Sequence, residues 1–240
     1  MALDSVTIIG AGRLGRALAA ALADRGTGVR GPFRRGEWED SLSENDIVLL
    51  CVPDGEIARA ARSISVDAVV GHCSGSMTLE PLLPHRGFSL HPLLAITGDG
   101  TRFDGAAAAI AGTTEETLDI ARELALALRM EPITVAGVDR TMYHASAVLA
   151  SNYLVALEET AAILGASVGL ERRHLAKLAE SALANWARDG AASLTGPIVR
   201  GDAAVIARQR DAIAIAFPRL LHFWDALTDR TRSIAAELKS

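Results

Sequence analysis

Scarcity shapes the first reading of this 240-residue chain. Two cysteines, Cys51 and Cys73, exclude a disulfide scaffold, and both stand in apolar runs (IVLLCVP and VVGHCSG) that suit small buried side chains. Only two lysines are present, Lys177 and Lys239, and 24 basic residues face 29 acidic ones without any block of like charge. A net charge of −5 with no basic stripe argues against nucleic acid as a partner. Aromatic residues make up 4% of the chain, which disfavours a β-sandwich or barrel. No uninterrupted run reaches the roughly 18 uncharged apolar residues of a membrane span, and the start MALDSVTIIG carries no basic leader segment. A cytoplasmic protein with no nucleic-acid or membrane partner is expected. With 50% apolar and 22% charged residues the chain lies far from disorder and can build a sizeable core.

What is there alternates. The β-branched run SVTII (residues 5–9) leads into GAGRLGRALAAALADRG, where Leu14, Leu18, Ala21 and Leu22 recur at helical spacing. Further strands are expected at 29–33, 46–53, 68–73, 87–90, 106–111 and 132–135, with helices at 56–63 and 115–128 between them. Continuous apolar strands such as DIVLLCVP are buried on both faces, so this is a Rossmann-type α/β domain with a mainly parallel sheet over residues 1–136. Past Gly137 the strand signal ends. One long helix is expected over 140–164, followed by helices near 171–188, 202–215 and 218–238, giving an all-α domain over 137–240. Asp202 is placed to cap its helix.

Gly10, Ala11, Gly12, Arg13, Leu14 and Gly15 fit G-x-G-x-x-G, and the motif stands where a strand turns into a helix. There the bare backbone and the helix N-terminus hold a pyrophosphate. The second strand ends in Arg34 and Arg35, where an acid would select the ribose hydroxyl of NAD, so NADP is the expected cofactor. Ligands of open α/β sheets bind outside the carboxyl ends of the strands. Those ends carry Val52, Pro53 and Asp54, then Ser74 and Gly75, then His91. Val52 and Pro53 are expected on the ribose and adenine side with Asp54 as a further cofactor contact, Ser74 and Gly75 beside the nicotinamide ribose, and His91 near the ring.

Together GAGRLG, LLCVPDGEIA, GHCSG, LHPL, YHASAVLASNY and LTGPIVRGD resemble a bacterial family within the 6-phosphogluconate dehydrogenase-like superfamily. That family pairs a Rossmann-like domain with a helical domain of unknown function 2520. The resemblance implies an NADP-dependent oxidoreductase acting on a small molecule, with a helical domain that dimerises. In related dehydrogenases and imine reductases the first long helix after the sheet lines the substrate pocket. Here that helix offers His144 as proton donor, with Ser151 or Asn152 fixing a polar group, and His91 as the reserve donor from the opposite wall. Arg200 in LTGPIVRGD suits a carboxylate or phosphate in a partner's cleft. The catalytic lysine of hydroxyisobutyrate-type relatives is missing, with His144 in its place, and the link from Arg34 to Asn45 is short. Two alternatives remain at this stage: a non-catalytic NADP-binding or redox-sensing protein, and a deazaflavin-linked reductase.

Overall fold

β1 (Ser5–Ile9) buries every residue from Val6 onward, and its chain turns through the glycine loop into α1 (Arg13–Ala23), whose Leu18 and Leu22 are fully buried. The computed structural model describes residues 4–38, 41–98 and 100–239. The same unit recurs through β2 (Gly28–Phe33), β3 (Ile47–Leu50), α2 (Asp54–Arg62) and β4 (Val69–His72). It continues through β5 (Arg86–Pro92), β6 (Ala107–Gly112), α3 (Glu115–Ala127) and β7 (Glu131–Thr134).

These strands form one seven-stranded sheet in the order β2-β1-β3-β4-β5-β6-β7. Every pairing is parallel except β5 with β6. Apolar side chains leave the sheet on both faces, as doubly wound strands require. One core gathers Val6, Ile8, Leu18, Phe88, Phe103 and Leu124 on the α1 and α3 side. The other gathers Ile9, Val48, Leu50 and Ile57 on the α2 side. Strand order reverses between β1 and β3, which places a crevice at the carboxyl ends of those two strands.

The chain divides into two compact units, Met1–Leu154 and Val155–Ser240. The helix expected over 140–164 is interrupted: α4 (Arg140–Ala150) stops at Ser151, with φ −126° and ψ −76°, and α5 (Asn152–Ala166) starts beyond it. Ser151 Oγ bonds the Ala147 carbonyl at 2.7 Å, a back-bond that competes with the helix ladder and bends helices. The stretch Gly137–Ala166 is nonetheless long and apolar enough to cross a membrane by length and composition. It does not contain the run of about 18 uncharged residues sought above, since the uncharged stretch between Arg140 and Glu158 is 17 residues long. The apolar window has a mean hydropathy of 1.3, and none of it is buried within the chain.

The second unit adds α6 (Arg172–Asp189), α7 (Pro197–Arg200), α8 (Ala203–Ala216) and α9 (Leu221–Glu237). Asp202 caps α8 as expected, accepting from the Val205 N–H at 3.1 Å. Pro218 opens a short 3-10 turn, Pro218–Leu220, rather than α9 itself. The unit buries little. Among the described residues its buried ones are Gly165, Ile206, Ile213, Thr228 and Ala235, and α6 contributes none.

Candidate functional site

The glycine loop is built by contact. A Cβ on Gly10 would stand 2.3 Å from the Cys51 carbonyl oxygen, at a φ of +115° that favours glycine. A Cβ on Gly15 would stand 1.9 Å from the Gly10 carbonyl oxygen, so these two glycines let β1, β3 and α1 close on one another. Gly12, the N-cap of α1, has nothing within 4 Å of its Cβ position. Open space therefore lies over the N-terminus of an 11-residue helix, whose free N–H groups attract an anion. Ala11, Arg13 and Leu14 complete the loop, and the Ala11 carbonyl accepts from Arg16 at 2.8 Å.

Beside it lies a cavity of about 330 Å³ lined by Gly10, Phe33, Arg35, Trp38, Val52, Pro53, Glu56 and Arg59, among others. Arg35 pairs with Glu56 at 2.9 Å, and Arg59 pairs with the same carboxylate. Two guanidiniums on one wall suit a phosphate, and Glu56 fixes both of them there. Arg34 is exposed, and its backbone N–H donates to the Glu37 carboxylate at 2.7 Å. Of the short link Arg34–Asn45, residues 39 and 40 lie outside the described residues.

At the next strand ends the chemistry changes. Ser74 Oγ and Ser76 Oγ donate to Asp54 Oδ2 at 2.8 and 2.9 Å, so Asp54 fixes the turn after β4. His72 is buried. It accepts from the Ser74 N–H at 3.2 Å and donates Nε2–H to the Thr78 carbonyl at 3.0 Å, and burial pushes its pKa below the ordinary value. His91, at the end of β5, has Nδ1 2.6 Å from Tyr143 Oη. Burial, helped by the charges of His144 and Arg140, pushes His91 down to about 4. It is a neutral imidazole at pH 7.

Gly75 is the meeting point. A Cβ there would stand 2.8 Å from His144 Cδ2 and 2.9 Å from His91 Nε2, and the two imidazoles are 6.3 Å apart, centre to centre. The structure thus brings Ser74, Gly75, His91 and His144 together. Ser151 and Asn152 stand further along the helical stretch, bonded to each other at 3.0 Å. Arg200 lies exposed in the second unit, at the end of α7.

Sequence reasoning passed over Arg140. Its side chain is 1% exposed, with one terminal nitrogen donating to the Ser74 carbonyl at 3.0 Å and the other to Ser89 Oγ. Among the described residues no carboxylate pairs with it, and its Nε has no hydrogen-bond partner. Burial lowers its pKa. The available signal was spacing: Arg140, Tyr143 and His144 stand at i, i+3 and i+4 and share one face of α4. The part played by Glu56, Arg59 and Trp38 had no comparable signal, since it depends on how α2 lies against the sheet.

A family model described as a domain of unknown function, DUF2520, matches residues 106–231, which is 126 of the 240 positions. The chain belongs to the DUF2520 family. That match spans β7, α4 and α5, so it covers Tyr143 and His144 while leaving the glycine loop outside. No curated protein matches the sequence. Among solved structures, a Thermotoga maritima protein superposes with a TM-score of 0.80 at 23% identity, over 98% of this chain and 100% of its own. A Bacteroides fragilis protein, itself a proposed NADP oxidoreductase, gives 0.80 at 18% identity, over 96% and 98% of the two chains. The imine reductase of Streptomyces aurantiacus gives 0.64 at 22% identity, over 98% and 99%. These likenesses establish the Rossmann-type fold of this DUF2520 member.

Proposed function

We propose that the protein is an NADP(H)-dependent oxidoreductase that moves a hydride between the nicotinamide and a small polar substrate bearing C=O/C–OH or C=N/C–N. One observation carries the reading: a single sheet edge presents both halves of such a site in order. The arginines follow β2, the open Gly12 follows β1, Val52 and Pro53 follow β3, Ser74 and Gly75 follow β4, and His91 ends β5. A nicotinamide cofactor supplies the hydride when bound. Gly10–Gly15 would hold its pyrophosphate, Arg34, Arg35 and Arg59 its 2′-phosphate, and Ser74 and Gly75 would let the chain run close to the ring. Names borne by similar folds, an NADP oxidoreductase and an imine reductase, favour reduction of a C=N or C=O group. Ser151, Asn152 and Arg200 remain candidates for substrate contacts.

Calorimetric titration tests the cofactor. NADPH is expected to bind more tightly than NADH, and Arg35→Glu or Arg34→Glu to weaken NADPH by about 1–3 kcal/mol, the scale of a lost charged hydrogen bond. Equal affinity for the two nucleotides would remove the role given to these arginines. Tight NADPH binding without turnover on a panel of carbonyls and imines would favour a binding or sensing protein instead.

We further propose a homodimer through the helical part. An 86-residue unit with five buried residues among those described has little core of its own, and Val155, Leu178, Trp186 and Ile215 are each more than 60% exposed. The exposed apolar window in Gly137–Ala166 would find its cover in the second copy. Light scattering is expected to give twice 25.2 kDa. A monomer at micromolar concentration, or a protein recovered only with detergent, would overturn this.

A further inference from the structure

His144 is the donor that sequence reasoning favours, and His91 its reserve, yet the hydrogen-bonding of the site points elsewhere. His91 is neutral at pH 7 and has a single ring proton, so it is no acid there. Its Nδ1 is engaged at 2.6 Å by a hydroxyl, that of Tyr143, with the two rings edge-on at 90°. One helical turn before Tyr143 lies Arg140, a guanidinium with no counter-charge among the described residues. A buried cation left in this state is costly unless something nearby becomes negative. Tyr143 is a neighbour able to do so.

Resting on the oxidoreductase reading, we propose that Tyr143 is the proton donor of this site, with His91 holding its oxygen and Arg140 stabilising its phenolate. In the step, the electron pair arrives at the substrate carbon as hydride from the reduced nicotinamide. The Tyr143 O–H bond breaks, an N–H or O–H bond forms on the substrate heteroatom, and the phenolate oxygen is left between His91 Nδ1–H and the field of Arg140. Water then returns the proton. This requires the Nδ1–H tautomer of His91, which turns the phenol proton outward. The remaining charged and titratable neighbours are His144 on α4, His72 on β4 and Asp54 on α2. Burial holds the Tyr143 proton in place at rest, and Arg140 pulls the other way, so the donor stays loaded until a base is presented to it.

The chain has two tyrosines, so Tyr153→Phe leaves Tyr143 as the sole phenol. In that background the absorbance of tyrosinate is followed against pH, with circular dichroism to establish the fold. Adding Arg140→Met is expected to raise the midpoint by one pH unit or more, and Arg140→Lys to return most of it. An unmoved midpoint in folded Arg140→Met overturns the proposal. Should that variant not fold, nitrogen NMR of the His91 ring decides: the Nδ1–H tautomer is expected, and Nε2–H overturns it. With NADPH and 1-pyrroline, a simple cyclic imine, Tyr143→Phe is expected to turn over about 10²- to 10⁴-fold more slowly. Full turnover of that variant also overturns the proposal. Failure of the unmodified protein to bind NADPH would sink the oxidoreductase reading instead, while the phenol titration still answers for Arg140 and Tyr143.

Discussion

Gly15→Ala is expected to destabilise the first unit by about 3 kcal/mol or more, since its Cβ would be driven to 1.9 Å from the Gly10 carbonyl oxygen. Both partners are backbone, one fixed at the end of β1 and the other in the first turn of α1, so neither yields by changing rotamer. For a chain of this size the melting temperature should fall by roughly 6–12 °C. Gly10→Ala meets the Cys51 carbonyl oxygen at 2.3 Å and should behave alike. Gly12→Ala is the contrast. Nothing lies within 4 Å of its Cβ, so its stability cost should stay within about 1 kcal/mol, the scale of an altered helix cap. The methyl would nonetheless occupy the space over the helix N-terminus, and NADPH affinity should drop at least about tenfold. Thermal melts and nucleotide titrations of the three variants test the division. A Gly12→Ala protein that melts early, or that binds NADPH normally, would contradict it.

Acid should destabilise the protein through His91 well before the carboxylates titrate. In the folded chain this ring stays neutral down to about pH 4, whereas the unfolded chain protonates it from about pH 6.5. Between those values the unfolded state binds more protons, so the contribution is intact above pH 6.5 and is lost as pH falls toward 4. At full extent it amounts to about 3 kcal/mol, and buried His72 adds in the same direction. Urea midpoints at pH 7 and pH 4.5 should therefore differ strongly. His91→Gln should flatten that dependence, and an unchanged slope in this variant would show that the proton goes elsewhere.

Much of the first unit was legible because its strands are buried on both faces. Runs such as IVLL are continuously apolar, VVGH is buried throughout, and a glycine loop between strand and helix has few other uses. The reversal at β6 was not legible, because direction is set by which edge a strand joins and leaves no local periodicity. Nor was the break at Ser151. Apolar spacing runs straight through it, and one hydroxyl returning to the Ala147 carbonyl ends the helix without any proline or glycine. In the site, the pairing of His91 with Tyr143 joins positions 52 apart along the chain, which no motif connects. Arg140 misled in another way. A cation at the start of an amphipathic helix usually reaches water, and only the Ser74 carbonyl and Ser89 hydroxyl facing it explain why this one turns inward.

The antiparallel pairing of β5 with β6 also sets a length. The run of strands whose carboxyl ends share one edge starts at β2 and closes at β5, because β6 points its own carboxyl end the other way. Four interstrand steps of about 4.8 Å make that edge roughly 19 Å wide. The arginines stand at one limit and His91 at the other. A mononucleotide lodged among Arg34 and Arg35 would leave the histidine end vacant, and a small metabolite beside His91 would lie out of reach of those two arginines. The edge is a ruler, and only a ligand made of two joined halves measures its full span.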